Sequence, residues 1–140
     1  MKKKTIIPQG QTIKEMLIRK KFIKDFYANW NAANPTKHIF NVALNDFIHV
    51  RFLSIQETAE RAAFAYKSTL AVTYLTEILE KATIEKRVNP KVNNQNQKRF
   101  SEVIIMQYKK PAFGKIKLTV GVLRGSKQHI QYCITAIEND

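Results

Sequence analysis

His129, Lys117, Arg124 and Tyr132 are the residues whose types suit proton-transfer and anion chemistry, and all fall in one C-terminal stretch. An imidazole titrating near neutrality can act as acid or base. A phenol can donate a proton or stack on a base. Lysine and arginine can hold a phosphate and offset the charge that develops when its ester is cleaved. With Lys110, which clamps the same phosphate, these residues are the candidate catalytic set for metal-independent phosphodiester cleavage. Each also has a plain alternative: a surface histidine, solubilising lysines, a core tyrosine.

Candidate nucleic-acid contacts lie elsewhere too. Lys109, Lys110 and Lys115 flank a turn. Lys67 and Ser68 sit at a helix start, where free amides and a hydroxyl can hold a phosphate. Arg19, Lys20 and Lys21 lie on the first helix. Cys133 is the single cysteine, which excludes an internal disulfide framework and a multi-cysteine zinc site. It reads as a packing residue, since no partner base is evident. His38 and His49 lack carboxylates at ligand spacing, so no metal is expected. The four glycines, at 10, 114, 121 and 125, form no phosphate loop, and no cofactor is expected.

These residues need elements to position them. The 140 residues have ordinary apolar and aromatic content, consistent with one domain. Residues 1–10 read as a mobile basic arm, 11–37 as an N-terminal helix extension and 38–140 as an α+β core. The helix starts at Thr12 and carries Ile13, Met16, Leu17, Phe22, Ile23, Phe26, Tyr27 and Trp30 at three- and four-residue spacing. Lys14, Arg19, Lys20, Lys21 and Lys24 lie off that stripe, and Pro35 follows the helix end. Residues 38–53 alternate and carry a turn signal at Asn45-Asp46, which predicts a small hairpin. Ser54 and Glu57 fit a capping box opening a helix at Ile55. A second core helix runs from about Leu70 to Lys81.

Thr83–Val88, Glu102–Tyr108, Lys115–Leu123 and Gln128–Ile137 read as strands, with a polar loop over Asn89–Arg99. Ile116, Leu118, Val120 and Val122 point inward. Ile130, Tyr132, Ile134 and Ala136 share the inward side of the last strand, with His129, Gln131, Cys133 and Thr135 on the other. Short connections predict a mostly antiparallel sheet of about four strands, packed by two core helices.

Net charge is +13, and it is clustered. Residues 1–24 hold eight basic side chains and one acid; residues 81–127 hold twelve and two; the remaining segments are slightly acidic. Two basic blocks are the footprint of an anionic partner: nucleic acid first, then an acidic protein. A membrane surface ranks lower. No apolar run reaches the ~20 residues of a membrane span, and the Lys-rich start lacks a signal-peptide core, so a cytoplasmic protein is expected.

The segment Ser68–Ala82 (STLAVTYLTEILEKA), a strand, a polar loop and three further strands ending in Val120–Ile137 together resemble a known class. It is the nuclease superfamily that groups barnase, EndoU, the colicin ribonucleases and RelE, in its phage and mobile-element branches. The resemblance covers residues 40–138 and is one of architecture and texture. It implies a ribonuclease, or an inactive RNA-binding relative, carried by mobile elements of bacteria. Barnase-like members face a Glu and a His across the sheet. Here Glu102 and Glu138 fall at strand ends, and neither is a convincing partner for His129. RelE-like members rely on Lys, Arg and Tyr, which this chain has. A non-enzymatic nucleic-acid-binding protein and a module for an acidic protein partner remain the alternatives.

Overall fold

Thr12 caps the first helix, α1 (Ile13–Ala33): its hydroxyl oxygen accepts the Glu15 N–H at 3.1 Å, while its O–H donates to the Glu15 carboxylate at 2.8 Å. That carboxylate also takes the Gly10 N–H, and these bonds hold the Glu15 carboxyl below its ordinary value. The computed structural model describes residues 7–111 and 113–137. The first six positions of the expected mobile arm lie outside them. Residues 8–10 are tied down, because Pro8 and Gly10 carbonyls accept from the Arg19 guanidinium.

The buried face of α1 is Arg19, Ile23, Tyr27 and Trp30, a narrower stripe than the apolar spacing predicts. Ile13 and Leu17 stay exposed. Next come β1 (His38–Asn41) and β2 (Asp46–His49), joined by a turn in which Asn45 has φ 53°, a left-handed conformation that asparagine tolerates. Helix α2 (Phe52–Ala62) starts earlier than expected. Ser54 is three residues inside it, and its hydroxyl accepts the Arg51 N–H at 2.9 Å. The single second core helix is two short ones, α3 (Tyr66–Val72) and α4 (Leu75–Lys81).

Four longer strands complete the chain: β3 (Thr83–Val88), β4 (Phe100–Lys110), β5 (Gly114–Leu123) and β6 (His129–Ile137). The sheet has six strands rather than four, in the order β1-β2-β6-β5-β4-β3. The two additional strands are the hairpin. It joins the sheet through a short parallel contact, Ile48 with His129 and His49 with Ile130, and every other pairing is antiparallel. Local alternation cannot show a parallel pairing between segments separated by the whole α2–β5 crossover.

One sheet face packs against the helices. Ile104, Met106, Ile116, Leu118, Val120, Val122 and Ile134 meet Ile23, Tyr27, Trp30, Val72, Leu75, Ile78 and Leu79. The second face holds a smaller cluster of Phe100, Val103, Ile105, Ile130, Tyr132 and Cys133, closed by Leu53 of α2. Beyond Ile130 no strand among the described residues lies beside the outer edge of β6, and α2 and α3 take that place. Ser68 Oγ accepts the Ala136 N–H at 3.0 Å, and the Gln131 amide donates to Thr58 Oγ1 at 2.9 Å. A strand edge covered this way presents no template for pairing with another chain.

β6 contains a bulge. Thr119 pairs with Cys133 and Val120 with Gln131, so Tyr132 is the extra residue. A bulge resets the alternation. Ile130 and Tyr132 therefore join the second face, while Ile134 and Ala136 stay on the helix side, which corrects the expected single inward row. Among the described residues no helix is long and apolar enough to cross a membrane.

Candidate functional site

Register places the candidate residues on faces. Lys117 pairs with Gln107 and Thr135, and Lys115 pairs with Lys109. All alternate with the helix-packed row, so they stand on the second, open face, as does Lys86 opposite Ile105. Lys109 and Lys115 are directly opposed across the sheet, an arrangement of like charges that is unfavourable without an anion nearby. Glu85 relieves part of it by pairing with Lys115 at 2.5 Å, which holds the Glu85 carboxyl below its ordinary value. Lys109 and Lys117 have no ion-pair partner among the described residues. A basic depression of about 560 Å³ lies at this end, lined by Gln107, Lys109, Lys110, Pro111, Gly114 and Lys115.

Further along the same face is a cavity of about 390 Å³. Val103, Ile105, Lys117, Thr119, Cys133 and Thr135 form its floor. Arg61 of α2 and Phe64 just past its end form one wall, and Val88 at the end of β3 with Asn89, Lys91 and Gln97 of the β3–β4 connection the other. Tyr132 sits at the bulge, edge-to-face against Phe100 with ring centroids 5.8 Å apart, and the Arg61 guanidinium carbon lies 6.0 Å from its ring centre. The Tyr132 hydroxyl is buried, facing the Gln97 and Asn94 side chains. Burial raises its ionisation above that of an ordinary phenol, and those two amides offset part of the rise. Cys133 is buried and its thiol is pushed up to about 12 by desolvation, so it is neutral and inert as a nucleophile at physiological pH.

The other candidates do not converge here. Arg124 is on the exposed turn after β5, with its Nε donating to the Lys98 carbonyl at 3.1 Å. Seven residues of strand separate it from Lys117, about 24 Å. Lys110 is at the far end of β4 and turns to the helix side. It bonds Glu77 at 2.8 Å and stands 4.3 Å from the Tyr74 ring centre. Lys110, Lys117 and Arg124 therefore cannot clamp one phosphate together.

His129 pairs with Val122 and Ile48 and so lies on the helix-packed face, opposite Lys117 and Tyr132. Its Nδ1 is 3.0 Å from Asp46 Oδ2. The Asp46 carboxyl is lowered, first by the Phe47 N–H and then by His129. The expected His129–Lys117–Arg124–Tyr132 constellation thus reduces to Lys117 and Tyr132.

Among the expected phosphate contacts, Arg19 is completely buried, its guanidinium donating to the carbonyls of Ala63, Pro8 and Gly10 at 2.7–2.8 Å. Ser68 is buried and occupied at the β6 edge. Lys20 pairs with Glu60, and Lys21 with Asp25 at 2.8 Å. Lys67 is exposed on α3.

Arg61, Lys91, Asn89 and Gln97 are the cavity residues that the sequence analysis missed. Arg61 follows Glu57 by one helical turn, and the two form an ion pair at 3.1 Å. Glu57 also accepts from the Asn96 amide at 2.5 Å, which ties α2 to the polar loop. Helical spacing from Glu57 was the available signal for Arg61. Nothing in the sequence signals Lys91, which is one cation in a polar run.

Among the described residues, no group of three His, Cys, Asp or Glu side chains is placed to hold a metal ion. Compared with family models, with curated proteins and with solved structures, the chain matches none.

Proposed function

We propose that this α+β protein binds single-stranded nucleic acid, RNA before DNA, across the open face of its sheet. One observation carries the reading: Lys86, Lys109, Lys115 and Lys117 share that face, and among the described residues Glu85 is the one carboxylate paired with them. Lys115 and Lys117 are two strand residues apart, about 6.8 Å, which lays positive charge along a track rather than at a point. The track leads from the basic depression into the cavity, where Arg61 and Lys91 extend it. Lysines along a sheet face, with the exposed Phe64 ring beside it, suit unstacked bases and their phosphates. The reading carries with it a cytoplasmic setting and a place among the mobile-element proteins that the sequence resembles.

Metal-independent cleavage of the bound RNA is the second reading. Tyr132, protonated at neutral pH, stands in one cavity with Lys117 and Arg61, the Lys–Arg–Tyr content of the RelE-like branch. The phenol would protonate the leaving oxygen, and the two cations would hold the negative charge on the non-bridging phosphate oxygens. Among the described residues no imidazole or carboxylate lines the cavity to take the attacking proton, and the Tyr132 hydroxyl is itself buried. That ranks binding above cleavage.

The test is anisotropy with labelled single-stranded RNA and DNA in EDTA at several salt concentrations, with the RNA then run on a gel. Binding should weaken with salt at a log–log slope of about −0.7 per phosphate contacted. Lys109→Gln and Lys117→Gln should each make the slope shallower by about that amount. Salt-insensitive binding, or slopes unmoved by both substitutions, would refute the reading. Cleavage lost in Tyr132→Phe would establish the second.

A further inference from the structure

The cavity between Phe64 and Lys91 differs in chemistry from the open lysine track, and we propose that it seats one nucleotide of the bound strand, base and phosphate together. This rests on the reading that the face binds a strand. Lys91 and Lys117 bring two ammonium donors with no carboxylate paired to them among the described residues, and Arg61, bonded to Glu57 through Nε, borders the same cavity. Three cations of this kind match the oxygens of a phosphate.

The remainder of the cavity does not suit a phosphate. Val103 and Ile105 give an apolar floor, and the Phe64 ring stands 63% exposed at the rim. An inorganic anion would leave that surface uncovered, and an apolar ligand would leave the cations unanswered. A nucleotide uses both: its base lies over Val103 and Ile105 with Phe64 stacked against it, and its phosphate meets Lys117, Lys91 and Arg61. The volume of about 390 Å³ falls in the range of small-ligand pockets, roughly 300–1,000 Å³. Bases recognised in single strands are typically splayed out and stacked on an aromatic side chain in this way.

The experiment compares uridine monophosphate, inorganic phosphate and a short labelled oligouridylate on the wild-type chain and on Phe64→Ala and Thr119→Phe. Calorimetry reads the first two ligands and anisotropy the third. Thr119 is on the cavity floor, so phenylalanine there fills it; Phe64 is exposed, so its truncation leaves the fold intact and guards against a misfolded Thr119 variant. Uridine monophosphate should bind the wild type at least about tenfold more tightly than phosphate. Phe64→Ala should weaken both nucleotide ligands about tenfold, the scale of one lost base stack. Thr119→Phe should abolish binding of the monophosphate. Phosphate binding as tightly as the nucleotide would overturn the proposal. So would oligouridylate binding equally to all three proteins, although strand binding would then stand. Monophosphate binding that both variants lose, with no oligouridylate binding, would uphold the nucleotide site and refute the strand.

Discussion

Replacing Arg19 with methionine should destabilise the protein without changing how its nucleic-acid affinity depends on salt. The side chain is completely buried, and its three hydrogen bonds go to backbone carbonyls, one on Ala63 at the end of α2 and two on Pro8 and Gly10. A hydrogen bond with one charged partner contributes about 1.5–3 kcal/mol net. The Pro8–Gly10 segment is partly exposed, so its carbonyls recover water when the guanidinium is gone. The Ala63 carbonyl lies beneath α1 and does not. Methionine keeps most of the volume, so the cavity penalty is small. The sum is about 2–4 kcal/mol. With a urea m-value of about 1–3 kcal/mol/M for a domain of this size, the unfolding midpoint should fall by roughly 1–2 M. Arg19→Lys should fall nearly as far, because an ammonium keeps the charge but not the planar fork that reaches three acceptors. Nucleic-acid binding by the folded variant should keep the wild-type salt slope. An unchanged midpoint would refute the buried anchor, and a shallower salt slope would show that Arg19 reaches phosphate after all.

Gly121→Ala should cost about 1–3 kcal/mol, because a Cβ there would come within 2.4 Å of the Phe100 ring, itself buried against Tyr132. Adding Phe100→Leu should recover part of the loss in urea titrations, and no recovery would place the strain elsewhere. Stability should also fall on acidification below pH 6.5. Burial, and then the neighbouring His38, hold His49 below its ordinary value of 6.5, so the unfolded chain binds the proton more readily and stability rises with pH across the window. His49→Gln should flatten midpoints measured between pH 7 and 5; the carboxylates held down by lysine, Glu77 and Glu85, act only below about 4.5. A variant as pH-sensitive as the wild type in that window would assign the effect to another group.

Local periodicity made most of the elements legible. The α1 boundaries, the hairpin, the strands β3–β6 and the inward row Ile116, Leu118, Val120 and Val122 follow from spacing and turn chemistry within the segment itself. The candidate site was legible only in part, and Tyr132 shows why. Uninterrupted alternation puts it beside Ile134; one extra residue in β6 moves it to the face that carries Lys117. Arg19 makes the same point from a helix, where the side chain off the apolar stripe is buried because carbonyls from two other segments meet it.

By itself the sequence determined the α+β order, the clustering of positive charge and the absence of a disulfide framework, since each depends on composition or on near neighbours. Tertiary structure alone decided that the hairpin joins the sheet, that His129 and Lys117 lie on opposite faces, and that Arg61 and Lys91 border one cavity with Tyr132. These depend on strand register and on contacts between residues far apart in the chain, and a one-residue change of register reverses the face of every side chain that follows.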